Sequence, residues 1–67
     1  PERRWFEPDD PDEAIALCLA FSEPLNNWEV GFLNDIHGRR QLTEKQVNCL
    51  GKILNKARSY AKARGYL

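Results

Sequence analysis

The sequence predicts an all-α fold, a compact three-helix domain that is orthogonal or bundle-like and carries an extended N-terminal arm. Three observations lead to this fold class. Apolar residues recur at helical spacing in three segments, each segment starts with a residue that commonly caps helices, and no alternating run is long enough for a sheet. With 67 residues the chain is one domain near the lower size limit for unaided folding. Residues 1–9 form the predicted arm, and residues 10–67 form the predicted helical core.

The arm combines Arg3-Arg4 with Trp5-Phe6 between prolines and shows no periodicity. Because large aromatic side chains are unfavourable in water, we expect at least one of Trp5 and Phe6 to pack onto the helices. The alternative is that the arm is a partner-binding peptide held outside the fold.

The first helix is predicted over Pro11–Phe21. Asp10 suits the N-cap, Pro11 suits the first helical position, and the acidic residues that follow complement the positive end of the helix dipole. The helix is apolar on nearly every side, which is typical of a central, buried helix. We expect it to end before Pro24, because the residue that precedes a proline is disfavoured in the helical conformation.

The second helix is predicted over Asn27–His37, with Asn27 as its N-cap and Gly38 as the residue that ends it. Its large apolar residues fall on one stripe, and this spacing predicts that they face the core. The members of this stripe are Trp28, Phe32, Leu33 and Ile36.

The third and longest helix is predicted over Thr43–Arg64. Thr43 and Gln46 have the spacing of a capping box, and Gly65 lies where a left-handed residue commonly ends a helix. The predicted core takes apolar residues from all three helices: Ile15, Leu19, Trp28, Phe32, Leu33, Ile36, Val47, Leu50, Ile53 and Leu54.

No pattern in the sequence indicates catalysis. The single histidine, His37, lies two residues from Asp35, and side chains at that spacing on a helix point apart. Cys18 and Cys49 lack the close spacing of zinc ligand pairs, and two cysteines are few for a disulfide-stapled secreted domain. We therefore predict two free thiols in a cytoplasmic, non-enzymatic protein with no cofactor, no metal and no small-molecule substrate. No apolar run approaches the ~20 residues of a membrane span, so we also predict no membrane partner.

Charge is strongly segregated along the chain. Residues 1–37 contain nine acidic residues and two arginines, a net charge of −7, whereas residues 38–67 contain eight basic residues and one glutamate, a net charge of +7. Such asymmetry indicates either attraction between the two halves or a basic face that binds an anionic partner.

Five basic residues are placed to form one continuous positive surface from a loop along the third helix. We call this surface the basic strip; its members are Arg39, Arg40, Lys45, Lys52 and Lys56. Such a strip is suited to a phosphate backbone, of DNA or of RNA. The alternative is that these lysines are simply the solvated face of the helix. A helix-turn-helix fits less well, because the loop before the third helix is longer than the turn of that motif and no further helix follows.

A different kind of site is indicated at the two ends of the chain. Trp5 and Phe6 lie near one end, and Tyr66 and Leu67 lie at the other. If the ends meet, these four residues could form an exposed patch for a protein partner or a second copy of the chain. The alternative is that they close the bottom of the bundle.

The segment 27–56 contains the pattern Asn27-Trp28-Glu29-x-x-Phe32-Leu33-x-x-Ile36, followed by Leu42-Thr43-Glu44-Lys45-Gln46-x-x-x-Leu50-x-x-Ile53. This segment, under half of the chain, resembles a short helical segment in phage- and plasmid-type proteins of DNA replication and recombination. The resemblance implies an accessory role near DNA and supplies no catalytic residues. We therefore predict a small non-enzymatic module that binds nucleic acid through the basic strip. Interaction or dimerisation through the terminal aromatic residues is the alternative, and a structural fragment of a larger protein is a third hypothesis.

Overall fold

The computed structural model describes residues 3–67, so Pro1 and Glu2 of the predicted arm lie outside the described residues. The chain forms three helices, α1 (Pro11–Ala20), α2 (Asn27–Ile36) and α3 (Glu44–Ala63). No strand occurs between residues 3 and 67, which confirms the all-α three-helix fold. Over the same residues, no helix is long and apolar enough to cross a membrane.

The helix ends follow local side-chain chemistry, with one correction to the prediction. The capping box of α3 is confirmed, since Thr43 Oγ1 accepts from the Gln46 amide at 3.1 Å and Gln46 Oε1 accepts from the Thr43 amide at 2.9 Å. The predicted cap of α2, Asn27, is wrong. Asn26 is the cap, because only Asn26 has a glutamate three residues later: Asn26 and Glu29 each accept from the other's backbone amide at 2.8 Å.

The core lies where α1 packs against both other helices, with α3 as its more extensive partner. This arrangement confirms the prediction that the apolar first helix is central. Of the ten predicted core residues, five are buried: Ile15, Leu33, Ile36, Leu50 and Ile53. Three more are partly buried and pack against the core: Leu19, Phe32 and Leu54.

The prediction that Trp28 and Val47 belong to the core is wrong, because their side chains are 65% and 49% exposed. Each lies in the first turns of its helix, at the edge of the apolar stripe. At 100° per residue, Trp28 is rotated by about 140° from the fully buried Leu33, and Val47 by about 120° from the buried Ile53. Helical spacing alone does not show which residues of a broad apolar stripe are covered by the other helices.

The arm is extended over the described residues before α1 and is attached to the end of α3. The Trp5 amide donates to the Tyr66 carbonyl oxygen at 3.2 Å, and the Trp5 side chain is buried. Its indole meets the ring of Phe21 edge to face, with the ring centres 5.5 Å apart. The prediction that Trp5 or Phe6 anchors the arm is therefore confirmed for Trp5, whereas Phe6 is exposed.

Candidate functional site

The basic strip lies on the surface, and all five of its side chains are exposed. Arg39 and Arg40 lie in the loop that follows α2, and the three lysines lie on α3. At 100° and 1.5 Å per residue, the lysines fall within about 40° around the helix axis and extend over about 16 Å of its length. The sequence-predicted strip is therefore a row on one side of α3, continued by a loop.

Ion pairs divide this row. The Lys56 ammonium lies 2.9 Å from Glu29 Oε1, and Arg39 Nη2 lies 3.4 Å from Asp35 Oδ2. The other three members of the strip form no ion pair with any residue from 3 to 67. We call these three, Arg40, Lys45 and Lys52, the open segment of the strip.

Lys56 is held more firmly than Arg39. Its partner Glu29 has a side chain that is only 15% exposed and also accepts the Asn26 amide of the α2 capping box. The Asn26 amide and, to a lesser extent, Lys56 lower the pKa of Glu29. An anionic ligand would have to compete with this carboxylate for Lys56, whereas at Lys45 and Lys52 no carboxylate from residues 3–67 forms a competing ion pair.

Acidic residues bound the strip at its loop end. The start of α1 carries an exposed cluster that includes Asp12, and Asp12, Arg40 and Val47 line one shallow groove. Like charges repel, so this cluster disfavours an anion that approaches from the α1 side. The favourable approach is along α3, over Lys45 and Lys52.

The terminal aromatic residues are brought close together, but they divide into two kinds. Trp5 is buried and Tyr66 is half-buried, and Tyr66 packs edge to face on Phe21 at 5.3 Å between ring centres. These two residues close the end of the bundle. Phe6 and Leu67 are 50% and 57% exposed and line two different grooves. The four predicted partner-binding residues thus combine a structural pair with two exposed apolar groups.

Sequence reasoning assigned Trp28 to the core and therefore did not consider it as a functional residue. Its ring is parallel to that of Phe32, with 5.6 Å between ring centres and 9° between ring planes. Phe32 packs against the core, and Trp28 is the most exposed large apolar side chain of residues 3–67. No sequence signal separates it from the buried members of the α2 stripe, because its exposure depends on how far the other helices extend over α2.

Both cysteines are free thiols; Cys18 is buried and Cys49 is half-buried. Burial raises the pKa of the Cys18 thiol to about 11, so this side chain is a protonated core group at neutral pH. Within residues 3–67 no cluster of three histidine, cysteine or carboxylate side chains is placed to bind a metal ion. Absence of catalysis and a cytoplasmic location remain predictions.

Comparisons with protein-family models, with curated proteins and with solved structures find no match to this chain. The resemblance of segment 27–56 to phage- and plasmid-type helical segments therefore remains a prediction.

Proposed function

We propose that this chain is a small non-enzymatic module, accessory to DNA-related processes, that binds the phosphate backbone of a nucleic acid. The observation that carries the proposal is the open segment, in which Arg40, Lys45 and Lys52 are exposed without an acidic partner among residues 3–67. Glu44 is the only acidic residue of α3, and it precedes every lysine of that helix. A merely solvated helix face usually carries both signs of charge, whereas this one is positive along its length.

The row has a suitable length for several phosphates. Each strand of B-form DNA carries one phosphate per 3.4 Å along the axis, so the roughly 10 Å between the levels of the two lysines of the open segment, Lys45 and Lys52, spans about three phosphates. Asn48, Asn55 and Ser59 are exposed beside the lysines and provide neutral hydrogen-bonding groups, which contribute many backbone contacts in protein–DNA complexes.

The test is a salt titration of binding to labelled single- and double-stranded DNA, followed by fluorescence anisotropy. The double variant Lys45→Gln, Lys52→Gln removes two charges of the open segment. We expect weaker binding and a log–log salt dependence that is shallower by about 1.4 for single strands or about 1.8 for duplex.

The single variants Lys45→Gln and Lys52→Gln each remove one charge, and their matched control is Lys62→Gln, which removes one charge from an exposed lysine of the same helix. Lys62 is rotated by about 100° around the axis from Lys45. We expect this variant to bind almost as the unmodified chain does. The proposal would be refuted if the chain showed no salt-dependent binding. It would also be refuted if Lys62→Gln lowered the binding affinity as much as Lys45→Gln and Lys52→Gln do.

A protein-binding or dimerisation module is the second candidate, and exposed Phe6 favours it. Phe6 lines a shallow apolar groove with Ala16, Leu17 and Ala20 on the outer side of α1, and Arg4 also lines this groove. Light scattering over a range of concentrations tests self-association. A dimer that Phe6→Ala converts to a monomer would support this candidate, and a monomer at every concentration would rule out self-association through this groove.

A further inference from the structure

The most exposed apolar feature of the described chain is the stacked pair Trp28 and Phe32. Phe32 holds one side of the pair against the core, and its ring supports the Trp28 ring in a parallel stack. Both residues lie on α2, whose first turn is fixed by the reciprocal hydrogen bonds of Asn26 and Glu29. Trp28 is therefore a pre-organised aromatic surface whose outer face is open to solvent.

The first turn of α2, which carries Trp28, adjoins the end of the basic strip at Lys56. Trp28 directly precedes Glu29, and Glu29 holds the Lys56 ammonium at 2.9 Å, which ties the first turn of α2 to α3. Lys52 lies one helical turn before Lys56 on the same side of α3. A ligand that follows the strip from Lys45 past Lys52 thus approaches the first turn of α2, which carries Trp28.

We infer that the ligand of the basic strip is a single-stranded nucleic acid, one base of which stacks on the exposed face of Trp28. The inference rests on the proposed function and specifies its ligand. Single-strand binding surfaces combine positive charge that follows the backbone with aromatic rings on which bases stack, and every base offers a π-face to such a ring. In a duplex the base faces are covered by neighbouring base pairs, so a duplex could use the lysines but not Trp28.

The lysines of the strip argue against a protein partner that covers both Trp28 and the strip. Lysine is depleted at protein–protein interfaces, and a partner that covered both Trp28 and the strip would have to desolvate several lysines. A polyphosphate chain supplies the complementary charge along the same path. Glu29 does not oppose it strongly, because Lys56 offsets the charge of that carboxylate and the Asn26 backbone amide donates a hydrogen bond to it.

The test compares oligodeoxythymidine, oligouridine and duplex DNA of equal length at one low salt concentration. We expect tighter binding of at least one single strand than of the duplex. Trp28→Ala is expected to weaken single-strand binding by about 5-fold to 150-fold, the range for loss of one base–aromatic stack, and to leave duplex binding unchanged. Trp28→Phe keeps a smaller ring and is expected to have an intermediate effect.

The control variant is Phe6→Ala, which removes another exposed aromatic ring that lies outside the basic strip. We expect its affinity for each oligonucleotide to remain unchanged. Circular dichroism checks that every variant is folded. Tryptophan fluorescence gives an independent signal, because Trp5 is buried: stacking should quench the emission of the unmodified chain, and Trp28→Phe should lose that quenching.

The outcomes separate the two proposals. If Lys45→Gln, Lys52→Gln weakens binding but Trp28→Ala changes no affinity, the phosphate-binding function holds and stacking on Trp28 is refuted. If no oligonucleotide binds with salt dependence, both proposals are refuted. If Trp28→Ala converts a dimer into a monomer without changing oligonucleotide affinity, the occupant of Trp28 is a second copy of the chain, which also refutes the inference.

Discussion

Replacing Phe21 with alanine tests how the arm is attached to the helices. Phe21 follows α1, is only 1% exposed, and forms the centre of an aromatic cluster. The rings of Trp5 and Tyr66 meet it edge to face at 5.5 and 5.3 Å, and the Arg3 guanidinium lies 4.8 Å from its ring centre. The arm, α1 and the end of α3 therefore all meet at this side chain.

The expected loss is large relative to the stability of so small a domain. Replacing a buried phenylalanine with alanine typically costs about 3–5 kcal/mol. A chain of 67 residues is expected to have a free energy of unfolding of about 3–10 kcal/mol. Phe21→Leu retains most of the apolar volume but loses two aromatic pairs worth about 0.5–1.5 kcal/mol each, so we expect it to cost about 1–3 kcal/mol.

The assay is urea unfolding followed by circular dichroism, with Phe6→Ala as the matched control. Phe6 undergoes the same chemical change in the same arm, but its side chain is exposed. We expect the control to change the free energy of unfolding by no more than about 0.5 kcal/mol. A loss below about 1 kcal/mol for Phe21→Ala, or equal losses at the two positions, would show that the arm is not anchored as described.

Two further predictions concern the helix ends and acid stability. Asn26→Ala is expected to cost about 1 kcal/mol of unfolding free energy and Asn27→Ala much less, because only Asn26 caps α2; thermal unfolding of both variants measures the difference. Hydrogen bonds from basic partners and from the backbone lower the pKa of three carboxyls, to about 2 for Glu23 and by smaller shifts for Glu7 and Glu29. Their contribution to stability is fully present above the ordinary carboxyl pKa near 4.5 and is lost as pH falls toward 2. We therefore expect the unfolding temperature to fall as the pH is lowered over this range. An unchanged unfolding temperature would contradict these ion pairs.

The parts of the fold that sequence predicts well are those that depend on neighbours in the chain. Thr43 and Gln46 act within one turn, and both helix-ending glycines, Gly38 and Gly65, have the expected positive φ of 83°. The N-cap of α2 was harder to predict, because the adjacent residues Asn26 and Asn27 are both suitable N-caps. The deciding feature was the position of Glu29, three residues after Asn26.

The parts that sequence did not predict depend on residues that are distant in the chain. Nothing in the spacing of Lys56 indicates that it pairs with Glu29, which lies 27 positions away. The exposure of Trp28 has the same origin, because it depends on how far the other helices extend over the stripe of α2. Charge segregation was visible in the sequence, but which lysines remain unpaired follows only from the packing of the helices.

Attraction between the two halves of the chain accounts for part of that segregation. The acidic half of the chain supplies Glu7, which pairs with Arg58 beside the arm, and Glu29, which pairs with Lys56 beside α2. Lys56 meets Glu29 because the first turn of α2 lies beside that level of α3. Lys45 and Lys52 lie on the same side of α3 but nearer its start, where no acidic residue from 3 to 67 forms an ion pair with them. The fold rests mainly on its apolar core, whereas the proposed phosphate binding would rest on these charges. Raising the salt concentration is therefore expected to release a nucleic acid well before it unfolds the domain.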